Sequence, residues 1–391
     1  MTRVVLVSGK GGVGKTTIAA ATATLAAEHG ARALVASLDR AHNLGDVLGA
    51  RLGPEPARVG AISAMEADPQ VELRRHWRAL SGYFARLLEY LGLGGVEADE
   101  VAVFPGLEEL LVLSRLVELV ESKSYDVVVV DLAPTASSLR LLAFPELMAG
   151  TFGKLVRWER RLMRVLRPAA KRALGMPVPE DDAYEALDEL GRRLTRLRDL
   201  LTDPRRTVAR LVSIPERIVI EETRSALTLL SLFGVCVDAV ILNRVLPKEL
   251  ARGYLAGWTR IQAREIERAR ELFADLPILE LRFQSGEVIG APAIADVARE
   301  VYGDRDPSRP FRTHPPLSFK RERGRTRVEV SLPNAAEGSV DLKQRGDDLI
   351  LTVGGWRRQL ALPPSLRGRA VRDAELARGK LTIHFGEETT S

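Results

Sequence analysis

The feature that most constrains the fold of this chain is a glycine-rich loop between an apolar strand and a helix. Residues 4–8, VVLVS, form a continuous β-branched run that predicts a strand buried on both faces. GKGGVGKTT follows directly, and an alanine-rich helical pattern follows that loop. Gly9, Gly14, Lys15 and Thr16 fit the pattern G-x-x-x-x-G-K-[ST]. A strand, this loop and a helix in succession predict an α/β fold that binds nucleotide phosphates.

The residue types of the loop suit the binding of ATP with Mg²⁺. Backbone N–H groups of such a loop surround phosphate oxygens, and the positive end of the helix adds to their attraction. Lys15 is expected to contact the β- and γ-phosphates, and the Thr16 hydroxyl to bind Mg²⁺. The residues of the loop expected to contact nucleotide are Gly9, Lys10, Gly11, Gly12, Val13, Gly14, Lys15, Thr16 and Thr17. The pattern needs only one lysine, so it does not explain why position 10 is also a lysine.

Two aspartates that follow predicted strands complete the predicted site. Asp131 ends the run YDVVVVD, at the carboxyl end of a strand, where ligands of α/β proteins bind. It is expected to hold Mg²⁺ through water. Asp39, in ASLDRAHNLGD, is expected to orient the attacking water and to share in the metal site with Thr16 and Asp131. The alternative for Asp39 is a solvated aspartate in a turn.

Composition narrows the classes of protein that fit. The only cysteine, Cys236, excludes disulfides within the chain and any site built from several cysteines, and it suits a reducing cytoplasm. Residues 1–9 do not resemble a signal peptide, and no apolar run is long enough to predict a membrane span. Most of the net charge of +5 comes from residue 315 onward, where 14 Lys and Arg face 10 Asp and Glu. The nucleotide-binding part is nearly neutral, so nucleic-acid binding is not expected.

Strand and helix signals alternate through residues 1–303, which predicts a parallel sheet flanked by helices. Helical insertions are expected at about 70–120 and 145–203. Residues 304–318 are rich in proline and polar residues, and predict a linker. Short alternating segments in residues 319–391 predict a small antiparallel β-sandwich. The expected fold is therefore an α/β P-loop domain followed by an all-β domain.

Several segments of residues 1–303 together resemble one family. GKGGVGKTT, with its additional lysine, resembles the deviant Walker A loop of SIMIBI-class P-loop ATPases. LDRAHNLGD and DLAPTASSLRLLAFPE resemble the first and second switches of the ATPases that drive arsenite pumps (ArsA) or target tail-anchored proteins, and MEADP and EVIG resemble further motifs of that family. SIPE and ILNR, with Glu216 and Asn243, resemble its adenosine-binding segments.

The resemblance implies a Mg²⁺-dependent ATPase that works as a dimeric, nucleotide-driven switch. In such a dimer Lys10 would reach the phosphates bound by the partner subunit and act with Asp39 in catalysis, much as an arginine finger does. Glu216 and Asn243 would contact the nucleotide. A chain with one P-loop would pair as a homodimer. The resemblance also implies a protein client or a membrane partner. The expected location is the cytoplasm, either away from membranes or peripheral at a membrane surface.

The chain departs from the family pattern in both switches. Arg40 stands in place of a proline, and Leu132, Ala136 and Ser137 replace Thr, Gly and His of the second switch. With one cysteine, the chain has neither the zinc site of the targeting ATPases nor the arsenite site of the pump ATPases. The iron–sulfur cluster of the nitrogenase iron protein is excluded for the same reason.

An arginine-rich segment in the second insertion has an apolar stripe. Leu155, Trp158, Leu162 and Leu166 recur at helical spacing among arginines in KLVRWERRLMRVLRPAAKRA. Such a helix could bind a client or lie on an anionic surface, or it could be an ordinary surface helix.

The C-terminal part resembles a degenerate α-crystallin, or small heat-shock, domain through residues 360–366 and 374–383. A chaperone-like binding protein, in which nucleotide only regulates assembly, therefore stays open beside the ATP-driven switch. By its P-loop alone, the chain could also be a partitioning-type ATPase. The set of Lys10, Lys15, Thr16, Asp39 and Asp131 favours the switch, because binding alone would not need Asp39.

Overall fold

The computed structural model describes residues 1–38, 43–68, 70–72, 107–132, 181–322, 325–333, 335 and 338–386. Asp39, residues 133–140 of the second switch and the arginine-rich segment at residues 154–173 lie outside the described residues.

A mostly parallel sheet forms the centre of the first 303 residues. Its strands are β1 (Arg3–Ser8), β2 (Ala33–Ser37), β3 (Ala57–Val59), β4 (Ile62–Glu66), β5 (Val127–Asp131), β6 (Thr207–Ser213), β7 (Val237–Val245) and β8 (Ile278–Arg282). They follow the order β3-β4-β2-β5-β1-β6-β7-β8, and only β3 runs antiparallel to its neighbour. The strand order changes direction around β1, so the loop after β1 lies at the point where α/β sheets bind ligands.

Helices cover both faces of this sheet. They are α1 (Lys15–Glu28), α2 (Leu44–Leu48), α3 (Leu107–Glu121), α4 (Asp181–Thr202), α5 (Arg217–Leu232), α6 (Ala256–Leu272) and α7 (Ala291–Tyr302), with short 3₁₀ turns at Lys248–Leu250 and Gly253–Leu255. Val5 and Val7 pack with α1 and α7 on one face. Val4 and Leu6 pack with α3, α4, α5 and α6 on the other, because successive residues of a strand point to opposite sides. The predicted α/β class is confirmed. Of the two expected helical insertions, the described parts are α3 and α4.

The C-terminal part forms two antiparallel sheets. Its strands are β9 (Leu317–Glu322), β10 (Arg325–Ser331), β11 (Val340–Arg345), β12 (Asp348–Val353), β13 (Trp356–Ala361), β14 (Val371–Ala377) and β15 (Lys380–Phe385), with a 3₁₀ turn at Pro364–Leu366. One sheet has the order β14-β15-β10-β9 and the other β11-β12-β13. Val328, Val330, Leu351 and Ile383 are fully buried in a shared core. The predicted all-β region is confirmed.

The segment between the two parts is packed more closely than a linker. Arg210 on β6 and Asp238 on β7 are both fully buried and form an ion pair at 3.2 Å. The Asp238 carboxylate accepts the Phe311 N–H at 3.0 Å, and the Arg210 guanidinium donates to the Arg309 carbonyl at 3.1 Å. That guanidinium also lies 4.4 Å from the centre of the Phe311 ring. The sequence predicts a linker here, and in the structure this segment contacts the buried pair through backbone groups and the Phe311 ring.

The all-β part packs on the C-terminal half of α5. Leu232, the last residue of α5, is fully buried in the core of the all-β part. The Thr228 hydroxyl donates to the Pro333 carbonyl at 2.9 Å, and the Arg358 guanidinium donates to the Leu232 carbonyl. One helix of the ATPase part thus contributes to the hydrophobic core of the other part.

Candidate nucleotide-binding site

The loop after β1 passes so close to its neighbours that two positions accept only glycine. A Cβ at Gly9 would lie 2.2 Å from the Val212 carbonyl oxygen on β6. Gly14 has a φ of 95°, and a Cβ there would lie 2.4 Å from Asn243 Nδ2 on β7. The glycines therefore place the loop directly against β6 and β7, where its backbone N–H groups lie at the carboxyl edge of the sheet.

Lys15 lies inside the loop rather than on the surface. Its side chain is buried, and its Nζ donates to the Lys10 carbonyl at 3.2 Å. The amine is therefore close to the backbone that surrounds phosphates in loops of this kind. Contact of this amine with phosphate stays a prediction.

Thr16, in the first turn of α1, contacts Asp131, the last residue of β5. The Thr16 hydroxyl donates to Asp131 Oδ2 at 2.7 Å, and Asp131 is 1% exposed. Asp131 is aligned with Val7 on β1 and with Ser37 on β2, which places it at the carboxyl edge beside the loop. A hydroxyl and a carboxylate are the hard oxygen ligands that Mg²⁺ prefers, and Mg²⁺ needs few protein ligands because it keeps waters and binds phosphate. The two residues fit this metal.

Lys10 points away from its own loop. Its Nζ lies 2.8 Å from Glu222 Oε1 on α5, and both side chains are partly exposed, at 38% and 48%. Glu222 is 212 positions away in sequence. No sequence pattern indicated that it would meet the additional lysine.

Asn243 and Glu216 lie in different environments. Asn243 is 8% exposed, and its Nδ2 donates to the Val13 carbonyl at 2.8 Å, so it supports the loop from β7. Its Oδ1 accepts the Arg244 N–H at 2.7 Å. Glu216 is exposed at the start of α5 and has extended backbone. Both lie near the carboxyl ends of strands. A contact of either with adenosine stays a prediction.

Comparison with known proteins now identifies the family. Residues 2–303 match the family described as anion-transporting ATPase, and residues 323–385 match an HSP20-like domain found in ArsA. The chain belongs to the anion-transporting ATPase family. The resemblance inferred from its motifs is confirmed, as is that of its C-terminal part, and the protein is an ATP-hydrolysing enzyme that binds nucleotide.

Individual relatives match most or nearly all of the chain. A protein of Prosthecochloris vibrioformis named "Putative arsenical pump-driving ATPase" is 35% identical over 99% of this chain and 96% of its own length. "Putative arsenical pump-driving ATPase 1" of Aquifex aeolicus is 31% identical over 97% and 99%. "ATPase ASNA1 homolog" of Trypanosoma cruzi is 28% identical over 78% of this chain and 92% of its own length.

Two family motifs of this ATPase contact each other at the edge of the site. Glu66, in the MEADP segment at the end of β4, accepts the Gly45 N–H at 2.8 Å through its Oε1. Gly45 lies in α2, within the first-switch segment. The Leu38 N–H, just before Asp39, donates to the Asp131 carbonyl at 2.9 Å. The first-switch segment is therefore bound on both sides of Asp39, through contacts that the motif resemblance did not predict.

The described residues contain neither a membrane-spanning helix nor a cluster of metal-binding side chains. No described helix is both long and apolar enough to cross a membrane. No group of three or more His, Cys, Asp or Glu side chains lies close enough to bind a metal among the described residues. The expected metal site differs from such a group, because its described members are Thr16 and Asp131.

Proposed function

We propose that this ATPase depends on Mg²⁺ and works as a homodimeric switch whose nucleotide state controls a protein client or a membrane partner. The observation that carries the proposal is the placement of Lys15, Thr16 and Asp131 side by side at the carboxyl edge of the sheet. An arrangement of this kind binds and polarises a triphosphate, which is more than a structural role requires.

Each residue of the site has a proposed task in ATP hydrolysis. The loop N–H groups and Lys15 bind the β- and γ-phosphates, and the Thr16 hydroxyl and Asp131 hold the metal, directly and through water. Magnesium, when bound, supplies charge neutralisation on the phosphates. Asp39 orients the attacking water. Asn243 keeps the loop in shape through its bond to Val13 and, with Glu216, borders the space for adenosine.

A homodimer is proposed because the chain has one P-loop and a second lysine that its own loop does not use. Lys10 lies at the rim of the site with its amine partly exposed. Exposed apolar side chains follow the carboxyl end of β7 at the same edge of the sheet: Leu250, Tyr254, Trp258 and Ile261. Tyr254 is 90% exposed. We propose that a second copy covers these side chains and brings its Lys10 to the phosphates of the first copy.

The identity of the client is proposed only by class. Relatives carry the name of pump-driving ATPases, and the HSP20-like match suits a protein that binds other proteins. Arsenite is not proposed as a ligand. The single cysteine, Cys236, is buried, its pKa is raised to about 11 by burial, and the chain has no second thiol. We propose that the enzyme works in the cytoplasm or at the surface of a membrane.

The HSP20-like part favours a second candidate, a chaperone-like protein in which nucleotide regulates assembly alone. Measured ATP turnover separates the two. With Mg²⁺, the wild type should hydrolyse ATP repeatedly, and Asp39→Asn should bind ATP with similar affinity but hydrolyse it at least about 100-fold more slowly. Removal of Mg²⁺ with EDTA should abolish turnover. If Asp39→Asn hydrolyses ATP at the wild-type rate, the proposed role of Asp39 is wrong. Binding of ATP without turnover in the wild type would favour the chaperone-like candidate.

A further inference from the structure

The additional lysine of the loop has a partner on its own chain. Lys10 Nζ lies 2.8 Å from Glu222 Oε1, and this is an ion pair between the P-loop and α5. The pair crosses from the loop after β1 to the helix after β6. The Lys10 ammonium has three N–H donors, and the contact with Glu222 uses one of them and keeps the amine beside α5.

The helix that carries Glu222 is fixed at several other points. Glu221 pairs with Arg224 at 2.9 Å and also with Arg268 on α6. Thr228 and Leu232, further along α5, contact the all-β part. Glu222 therefore lies on a helix that is bound to α6 and, at its C-terminal end, to the all-β part.

We propose that Glu222 is a positioning residue for Lys10: it holds the lysine beside α5 on its own chain, and Lys10 exchanges this carboxylate for a phosphate oxygen during hydrolysis. The inference rests on the proposed role of Lys10 in hydrolysis. It adds a residue that acts on Lys10 from α5 and does not itself contact nucleotide. Glu222 lies on α5, and the all-β part packs on the C-terminal half of this same helix.

The strength of the pair suits a bond that breaks in each cycle. Half-exposed ion pairs are weak, since water and salt screen them and two long side chains lose freedom. A bond of this strength lowers the population of free Lys10 by about two- to fivefold. It therefore delays the lysine without preventing the reaction. Because the pair is exposed to solvent, salt should weaken it.

Two variants of adjacent residues on α5 test the proposal in the full-length protein. Glu222→Gln removes the charge that contacts Lys10, and Glu221→Gln removes a charge of α5 that contacts arginines instead. The readouts are the rate at which an amine-specific reagent labels Lys10, followed by mass spectrometry, and the rate of ATP turnover. A nearby carboxylate favours the charged form of an amine, and only the neutral form reacts with such a reagent, so a paired amine is labelled more slowly.

In Glu222→Gln, labelling of Lys10 and ATP turnover should both rise by about two- to fivefold at low salt, and Glu221→Gln should match the wild type. The differences should vanish in about 0.5 M salt. Wild-type labelling should itself rise with salt, which tests the ion pair even if the variant folds poorly. Equal labelling of Lys10 in Glu222→Gln and wild type would overturn the proposal, and so would faster labelling with unchanged or slower turnover. Lys10→Ala separates the two claims: if it hydrolyses ATP normally, the proposed function of Lys10 fails, whatever Glu222 does.

Discussion

Two ion pairs of the ATPase part differ in burial and in the effect expected when they are broken. Arg210 and Asp238 lie inside the protein with no exposed surface, and they bind backbone groups of Arg309 and Phe311 as well as each other. Lys10 and Glu222 lie half-exposed beside the P-loop, at a shorter distance of 2.8 Å. The shorter pair is the weaker one, because solvent screens it. Distance alone does not predict the strength of an ion pair. The buried pair stabilises the fold, whereas the exposed pair can open.

The largest effect should come from breaking the buried pair. Asp238→Ala leaves Arg210 charged and buried without a carboxylate, and it removes the acceptor of the Phe311 N–H. We expect a loss of about 3–5 kcal/mol in the free energy of unfolding, measured by urea denaturation. The double variant Arg210→Met, Asp238→Leu removes both charges and should lose clearly less. Equal losses in the single and double variants would show that the uncompensated charge is not the cause.

Truncation should reveal how much the segment at residues 304–316 stabilises the ATPase part. A fragment that ends at residue 316 keeps the bonds from Arg210 to Arg309 and from Asp238 to Phe311. A fragment that ends at residue 303 lacks them, and each lost bond leaves a buried polar group without a partner. The shorter fragment should be less stable by about 2–4 kcal/mol in the same denaturation experiment. If the two fragments are equally stable, the segment is a linker, as its sequence suggested.

Much of the α/β part could be predicted, because continuous apolar runs mark buried parallel strands and the loop motif requires a strand before it and a helix after it. The two ion pairs could not. Arg210 and Asp238 lie inside strands that read as apolar, and their partners in residues 304–316 are backbone groups, which leave no mark in sequence. Glu222 is far from Lys10 in sequence and occupies an exposed helical position that any polar residue could fill.

The candidate site was predictable to the extent that its residues belong to motifs. The pairing of Thr16 with Asp131 follows from the loop motif and from the strand that ends at Asp131. The support that Asn243 gives to Val13, and the bond from Gly45 to Glu66, depend on how strands and loops approach in space. Motif resemblance named these segments but did not reveal their contacts.

Glu329, in the all-β part, is expected to contribute to stability by an amount between those of the two ion pairs. Glu329 is 5% exposed and accepts from Lys320 at 3.0 Å and from Lys380 at 2.7 Å. Burial alone would raise its pKa, but the bonds to Lys380 and Lys320 outweigh burial and lower the pKa to about 2. Its contribution to stability is therefore complete above the unfolded pKa of about 4.5 and declines as the pH falls towards 2.

The expected loss from Glu329 is about 1–2 kcal/mol between pH 5 and pH 2, since its lysine partners are half-exposed. Denaturation of the wild type and of Glu329→Gln at a series of pH values measures it. The two curves should converge at low pH. Parallel curves would show that Glu329 is not the titrating group.

The smallest effect on stability should come from the exposed pair. Glu222→Gln should change the free energy of unfolding by less than about 1 kcal/mol, in contrast to its effect on turnover. The denaturation experiment used for Asp238→Ala measures it directly. A loss as large as that of Asp238→Ala would remove the distinction between the two pairs.

The central claim is that Lys10 acts in catalysis on the nucleotide of a second subunit, and mixing two inactive variants tests it most directly. Lys10→Ala keeps Asp39, and Asp39→Asn keeps Lys10. In a heterodimer, the site of the Lys10→Ala subunit receives an intact Lys10 from its partner. After complete exchange of an equal mixture, half of the dimers have one working site, so ATP turnover should recover to about a quarter of the wild-type rate. No recovery in demonstrated heterodimers would contradict the claim and place the action of Lys10 within its own subunit.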